Sequence, residues 1–166
     1  AVRQGDRTLI VALLACGWPN NKNYKWADTK TLVQYGLDQY GYCNYWEDAM
    51  QDQDIRILEA GKKRTVKDAP AKDGNLYQDG TVNTFLNIDD QDREKRILMK
   101  KTEAIQVQIE EKQEITAPIE SGDILGTVTI LLNGETLDEK PIVSGESIQK
   151  KNLLWIYRQL WKSYAL

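Results

Sequence analysis

Apolar and polar positions change their rhythm several times along the chain. Thr8 to Cys16 (TLIVALLAC) is a continuous apolar run. It is too short for a typical helix and rich in Leu, Ile and Val, which predicts a strand buried on both faces. Gly5-Asp6 just before it is placed to turn a hairpin whose other strand holds Ala1 to Gln4. Gly17 to Asn23 (GWPNNKN) is dense in turn formers, and Asn23 is placed to cap a following helix. Trp26, Val33, Leu37 and Tyr40, with Leu32 and Gly36 beside them, keep helical spacing and predict an amphipathic helix from Tyr24 to Tyr40. Gly41 is placed to end it.

From Tyr42 to Lys95 the pattern weakens. Aspartates, lysines, Gly61, Gly74 and Gly80 separate short apolar pieces such as Ile55-Arg56-Ile57-Leu58 and Thr84-Phe85-Leu86, which read as a linker with edge strands. The rhythm then becomes clear again. Ile105, Val107 and Ile109 alternate with Gln106, Gln108 and Glu110, the period of a half-buried strand. Leu125 to Leu132 is a second strand, Asn133-Gly134 is a strong hairpin signal, and Thr136 to Val143 returns antiparallel. Pro141 in that return fits an edge position or a strand end. Together these predict a small antiparallel β domain.

The tail, 150–166, carries Lys150, Lys151, Arg158 and Lys162 and no acidic residue. On a helix, Leu153, Ile156, Tyr157, Leu160, Trp161 and Tyr164 share one face, while Lys151, Trp155, Arg158 and Lys162 lie on the other. This is a basic amphipathic helix of the kind that lies in a membrane interface or packs on protein.

Composition narrows the function classes. The 166 residues, 41% apolar and 28% charged, suit one soluble domain or two small ones. No apolar run approaches the roughly 20 residues of a bilayer-crossing helix. A net charge of −3 and a pI near 5.1 remove the electrostatic case for a nucleic-acid partner. The chain has no histidine, which excludes Ser-His-Asp and Cys-His catalysis and every histidine-ligated metal site in it. Cys16 and Cys43 lack the spacing of a zinc or redox motif and read as two thiols, with a bond between them left open. The opening Ala1-Val2-Arg3-Gln4 has neither the basic start nor the apolar stretch of a signal peptide, which bears on location only if the chain starts at the true N-terminus.

Two blocks resemble one family in the right order. Arg7 to Leu37 (RTLIVALLACG, then KWADTKTLVQYGL) is similar to the last strand and helix of the penicillin-binding transpeptidase domain in serine D-alanyl-D-alanine carboxypeptidases. Arg96 to Lys151 resembles that family's C-terminal β domain. There ITAPIESGDILGTVTILLNGETLDEKPIV (Ile115 to Val143) carries the Ala-Pro, Gly-Asp, Leu-Gly-Thr and Asn-Gly features in order. The resemblance implies an α+β fragment. Residues 1–41 would end a transpeptidase/β-lactamase-like domain with a strand hairpin and helix, 42–95 would be linker and edge strands, 96–149 a small antiparallel β-sandwich-like domain and 150–166 an amphipathic anchor helix.

For the parent protein the resemblance implies peptidoglycan stem peptides as substrate, β-lactams as inhibitors and a serine acyl-enzyme. The missing N-terminal part of the same enzyme would be this chain's first partner. The membrane surface would be its second, with Leu153, Ile156, Tyr157, Leu160, Trp161, Lys151, Arg158 and Lys162 as the anchor on the outer face of the bacterial cytoplasmic membrane. The family's SxxK, SxN and KTG motifs lie upstream of the matched region. This chain is therefore expected to hold no catalytic residue and no cofactor or metal. The alternative is a stand-alone, non-catalytic envelope module that positions a partner.

Other motifs read more simply. Ser147-Ile148-Gln149-Lys150 has SxxK form but joins two elements and reads as a polar connector. Ser121 to Val128 with Lys100 is like the pieces of a biotinyl or lipoyl carrier, but no Gly or Asn turn surrounds the lysine. Asp89 to Asp92 lacks the glycine and terminal glutamate of a calcium loop and reads as a solvated acidic connector.

Overall fold

The structure, a computed structural model, describes residues 1–14 and 23–164, without the side chain of Ser163. Cys16, most of the Gly17–Asn23 turn and the last two residues of the tail lie outside the described residues. The chain divides into two compact units, one of residues 1–43 with 96–104, the other of 44–95 with 105–166.

The first unit opens with a hairpin, β1 (Val2–Gln4) and β2 (Arg7–Leu9), turned at Gly5 with φ +64°. The predicted Thr8–Cys16 strand is thus much shorter among the described residues. Half-buried and exposed positions still alternate from Arg7 to Leu14, but among the described residues β1 is the only strand that pairs there, and a strand persists only where its backbone groups find partners. Ile10 and Leu14 are left 82% and 92% exposed.

Helix α1 (Tyr24–Gln39) follows the predicted bounds closely. Asn23 stands at its N-cap, but its side chain makes no capping bond. Its carbonyl instead accepts from Trp26 and Ala27 N–H. The stop is not Gly41. Tyr40 is already extended and opens β3 (Tyr40–Cys43), while the Arg7 guanidinium donates to Leu37 O at 2.9 Å and Tyr40 O at 2.6 Å. Leu9 lies over Gly36, where a Cβ would come within 3.2 Å of it. Val33, Gly36, Leu37 and Tyr40 form the half-buried stripe, but Trp26, assigned to it from spacing, is 68% exposed. Strand β3 pairs antiparallel with β6 (Ile97–Lys100), so 97–100 belong to this unit and not to the β domain.

The second unit is built on a five-stranded antiparallel sheet, in order β4 (Lys62–Pro70), β5 (Asp79–Leu86), β9 (Glu135–Ser144), β8 (Ile124–Leu132), β7 (Ile105–Glu111). Two of these strands come from the stretch expected to be a linker with edge strands, and β4 is indeed an edge of the sheet. Strand β5 is internal, since it pairs with both β4 and β9. The expected bounds of β7, β8 and β9 hold to within a residue or two. Asn133 and Gly134 have φ +54° and +84° in the two-residue turn that joins Leu132 to Glu135. Pro141 sits inside the sheet and not at its edge. Its carbonyl accepts from Asn87 N–H, just past the last β5 pair at Leu86, so its missing N–H faces a side where the ladder has already ended.

Three short helices complete the unit: α2 (Tyr45–Ala49), α3 (Gln53–Ala60) and α4 (Asp90–Arg93). Ile55-Arg56-Ile57-Leu58, read as an apolar strand piece, is in α3. The Asp52 carboxylate caps its start by accepting from Asp54 and Ile55 N–H, and Ile55 and Leu58, three apart, are 0% and 1% exposed. Burying each is worth about 1.5–3 kcal/mol. Gly61 ends α3 at φ +100°, and the ring of Phe85 covers it and Gly145; a Cβ would lie 2.6 Å and 2.3 Å from that ring.

The sheet curls until its outer strands meet. Glu111 of β7 bridges to Lys62 at 2.6 Å and Arg64 at 3.0 Å, both on β4, and Arg64 also donates to Lys112 O at 2.6 Å. The strap from Lys112 to Asp123 continues the closure through a parallel bridge between Thr116 and Lys67 and an antiparallel one between Ile119 and Ile148. Ile115, Ala117 and Ile119 of the strap are buried on Val66, Ala69, Val82 and Leu125. Replacing Glu111 by Ala leaves Arg64, whose side chain is 18% exposed, without its carboxylate. We expect a loss of about 1–3 kcal/mol in urea unfolding, the usual range for a stranded polar group, with the Glu111→Gln variant losing less.

Candidate functional site

The C-terminal helix, α5, spans Leu153–Tyr164. Asn152 starts it, its Oδ1 accepting from Trp155 N–H at 2.8 Å and its carbonyl from Ile156 N–H at 3.0 Å. Lys162 in the last turn complements the dipole. The residues before the helix tie it to the sheet. Lys151 N–H donates to Asp68 O at 2.7 Å, and the Lys151 ammonium binds Gln78 O at 2.8 Å and Asp79 Oδ1 at 3.2 Å. Lys150 pairs with Asp68 at 3.0 Å. Inside the helix, Gln159 closes over Gly74, where a Cβ would come within 2.7 Å of its Oε1.

These ties fix which side of α5 faces the protein. Trp155, Ile156 and Gln159 are half-buried. Leu153, Tyr157, Trp161 and Tyr164 are 85%, 61%, 66% and 86% exposed on the outward side of the helix, and Leu160, one turn beyond Ile156, is 41% exposed at its margin. Tyr157 and Trp161 stack with centroids 6.2 Å apart, and Arg158 and Lys162 flank them around a shallow groove. Of the residues assigned to the anchor from sequence, the helix brings together Leu153, Tyr157, Leu160, Trp161, Arg158 and Lys162 on its outward sides. It does not bring Lys151, which precedes the helix and is consumed by Asp79, nor Ile156, which turns toward the sheet. Trp155, placed on the polar face, is half-buried because it shares with Ile156 and Gln159 the side that is seated on the protein, whereas Arg158 and Lys162 stay exposed.

A second cluster, missed from sequence, lies where α2 and α4 pack on β9. Asp138 Oδ2 accepts from Tyr45 Oη and Trp46 Nε1, each at 3.1 Å, and from Lys95 Nζ at 3.5 Å. Asp92 pairs with Lys95 at 2.5 Å and with Lys140. The DDQD stretch is therefore no solvated connector. Asp89 caps α4 by accepting from Asp92 N–H at 2.7 Å, and the Asp92 side chain is turned into the protein. Two charged strand residues face the helices because β9 carries an extra residue: Ile130 pairs with Asp138 but Leu131 with Thr136, leaving Leu137 unopposed. This slip sets Asp138 and Lys140 on the same face as the fully buried Ile130 and Val128.

The cluster's electrostatics are those of a clamp. Burial, and then the Asp138 charge, push the Tyr45 hydroxyl up to about 12. The Asp92 carboxylate pushes Lys95 up, and hydrogen bonds from Lys140 and Lys95 hold Asp92 below the usual carboxylate range. Burial raises Asp138, but donation from Trp46, the Glu139 N–H and Tyr45 outweighs it and holds this carboxyl low as well. Each shift stabilises the form already present at neutral pH, whereas a general acid or base needs its pKa moved toward the working pH. Among the described residues, no group of His, Cys, Asp or Glu is placed to hold a metal ion.

Residues 91–150 match the family model described as penicillin-binding protein 5, C-terminal domain. This bears out the resemblance to the C-terminal part of D-alanyl-D-alanine carboxypeptidases on which the motifs of Ile115 to Val143 were read. Solved structures similar to the chain include penicillin binding protein 5 from Haemophilus influenzae, 14% identical, with 75% of this chain and 30% of that one covered and a TM-score of 0.35. Another is the D-alanyl-D-alanine carboxypeptidase DacD from Francisella tularensis, 19% identical, covering 79% of this chain and 28% of that one, with a TM-score of 0.37. The chain thus spans less than a third of either. No curated protein matches the sequence.

The clamp gives stability two pH limits. Asp92 and Asp138, lowered in the fold, contribute stability above about pH 4 that is lost as pH falls through their folded values. Tyr45, raised in the fold, contributes stability that is present below about pH 10 and lost as pH rises toward about 12. Replacing Asp138 by Asn should weaken the acid limb in urea unfolding. It should also bring one tyrosinate transition down from about 12, followed by ultraviolet absorbance, but only in part, because burial is the larger cause.

Proposed function

We propose that this chain is the C-terminal portion of a serine-type D-alanyl-D-alanine carboxypeptidase that trims terminal D-alanine from peptidoglycan stem peptides through an acyl-enzyme. The match of 91–150 to the penicillin-binding protein 5 C-terminal domain carries this reading. The nucleophilic serine and its lysine base stand in the upstream part of the parent, and this portion supplies support and placement. That upstream part also covers the Ile10–Leu14 segment that follows β2, whose exposed Ile10 and Leu14 need sheet neighbours. The product of the intact gene should label with a fluorescent penicillin at a serine in an upstream SxxK, while the 166-residue chain stays unlabelled and releases no D-alanine from a pentapeptide mimic. Stoichiometric labelling of the chain itself, or an intact product without an SxxK serine that labels, would refute the proposal.

In the same reading, α5 lies on the outer face of the bacterial cytoplasmic membrane. Its aromatic stripe points away from the sheet that holds it, and among the described residues no helix is long and apolar enough to cross a membrane. Insertion of Leu153, Tyr157, Leu160 and Trp161 would add about 1.5–3 kcal/mol for each large side chain fully buried. Arg158 and Lys162 near an anionic surface add about 1 kcal/mol each. Sedimentation with anionic liposomes should fall several-fold when Leu160 and Trp161 are replaced by Ser, and again at high salt. A Lys151→Ala change should act differently, loosening the helix from the β4–β5 loop. Indifference of the chain to anionic liposomes would overturn the membrane assignment.

A further inference from the structure

The strap between β7 and β8 leaves one edge of its backbone uncovered. Its bridge to β4 uses the groups on either side of Thr116: Ile115 O accepts from Lys67 N–H at 2.8 Å, and Ala117 N–H donates to Lys67 O at 2.9 Å. In a parallel bridge of this pattern the residue between them directs its own N–H and C=O the opposite way. On the strap, buried Ile115 and Ala117 flank exposed Thr116, so the strand-like stretch is the short run around Thr116, before the cis Ala117-Pro118 bond.

The strap borders a cleft of about 480 Å³ whose apolar lining includes Ile115, Ile119 and Leu125. Ile124, 56% exposed, contributes to its wall, and Lys112 and Asp123 bring charge of opposite sign. Glu114, also at the rim, is already paired with Lys67. Lys112 and Asp123 have no ion-pair partner among the described residues; Asp123 Oδ2 accepts only the Glu120 N–H, at 2.9 Å. Pro118 has no N–H, so the open edge is short and centred on Thr116.

We propose that this cleft binds a short extended peptide, which adds as a strand to the Thr116 edge. A small apolar side chain of the peptide rests against the exposed Ile124. A cationic residue at one end meets Asp123, and an anionic one at the other meets Lys112. Main-chain pairing supplies the affinity and the alternate side chains the selectivity, as in other cases of strand addition. The inference rests on the closure of the sheet alone and does not depend on the carboxypeptidase reading.

The test is a titration of the isotope-labelled full chain, followed by amide chemical shifts. The probes are the end-capped peptides Lys-Val-Ala-Val-Glu and its reverse, Glu-Val-Ala-Val-Lys. One order should produce saturable shifts at Thr116, Ile124 and Lys112 and bind better than the other. N-methylation of one alternate set of its residues should weaken binding about tenfold, the loss of one desolvated hydrogen bond, while N-methylation of the other set should not. Asp123→Lys and Lys112→Glu should each weaken binding about threefold, as expected for exposed ion pairs, and the double reversal should prefer the reversed peptide. Shifts that fail to saturate, shifts confined to α5, or equal sensitivity to both N-methylation sets would each overturn the proposal.

Discussion

The second unit depends on a sheet that is forced to close. An open five-stranded sheet would leave β4 and β7 as free edges, and free edges invite pairing with other chains. Here the right-handed coil of the strands carries those edges toward one another, and charged side chains span what backbone hydrogen bonds cannot. Glu111 reaches Lys62 and Arg64, and the strap then restores backbone pairing to β4 through Thr116. With the ring closed, Ile115, Ala117 and Ile119 gain a place to be buried, so the strap and the inner residues it covers depend on each other.

Closure also determines where the functional surfaces can be. The β4–β5 loop, fixed at its base by the sheet, offers Asp68, Gln78 and Asp79 as the mooring for Lys150 and Lys151. The helix that follows inherits its rotation from that mooring, which is why its aromatic side is turned outward. On the opposite scale of polarity, the Asp138 and Asp92 clamp joins α2 and α4 to β9 with fully engaged charges. Neither arrangement concentrates a reactive group; both use charge to orient elements.

Where local signals decide the outcome, the sequence is readable. The helical stripe of α1, the strict alternation of β7 and the Asn133-Gly134 turn are each set by neighbours a few positions away. Where long-range partners decide it, the pattern misleads. Lys62, Lys63 and Arg64 disguise β4 as a linker, because its charged residues alternate outward or toward Glu111. Asp138 and Lys140 stand in the predicted return strand with no local sign of their partners, which α2 and α4 supply from more than 40 positions away. Thr8 to Leu14 shows the converse: an apolar run strongly suited to a strand forms only its first residues as one, for want of a further neighbour among the described residues. The outward face of α5 was legible as a stripe. Its division from Ile156, Trp155 and Lys151 was not, since the seat on the β4–β5 loop is set by Gly74 and Asp79.

The unopposed Leu137 has an implication for anyone who would transplant parts of this fold. It divides β9 into two stretches of opposite phase, one near the Asn133-Gly134 tip and the other beneath the helices. A hairpin grafted from this protein would carry a concealed frame change, and a scaffold that accepted the tip in the ordinary phase would receive Asp138 and Lys140 on its solvent side. Alignments that place a gap opposite Leu137 would make the same error on paper, matching the two charges to surface positions in a relative. The residue thus works as a phase marker, and it is the position to align first when this strand is compared with another.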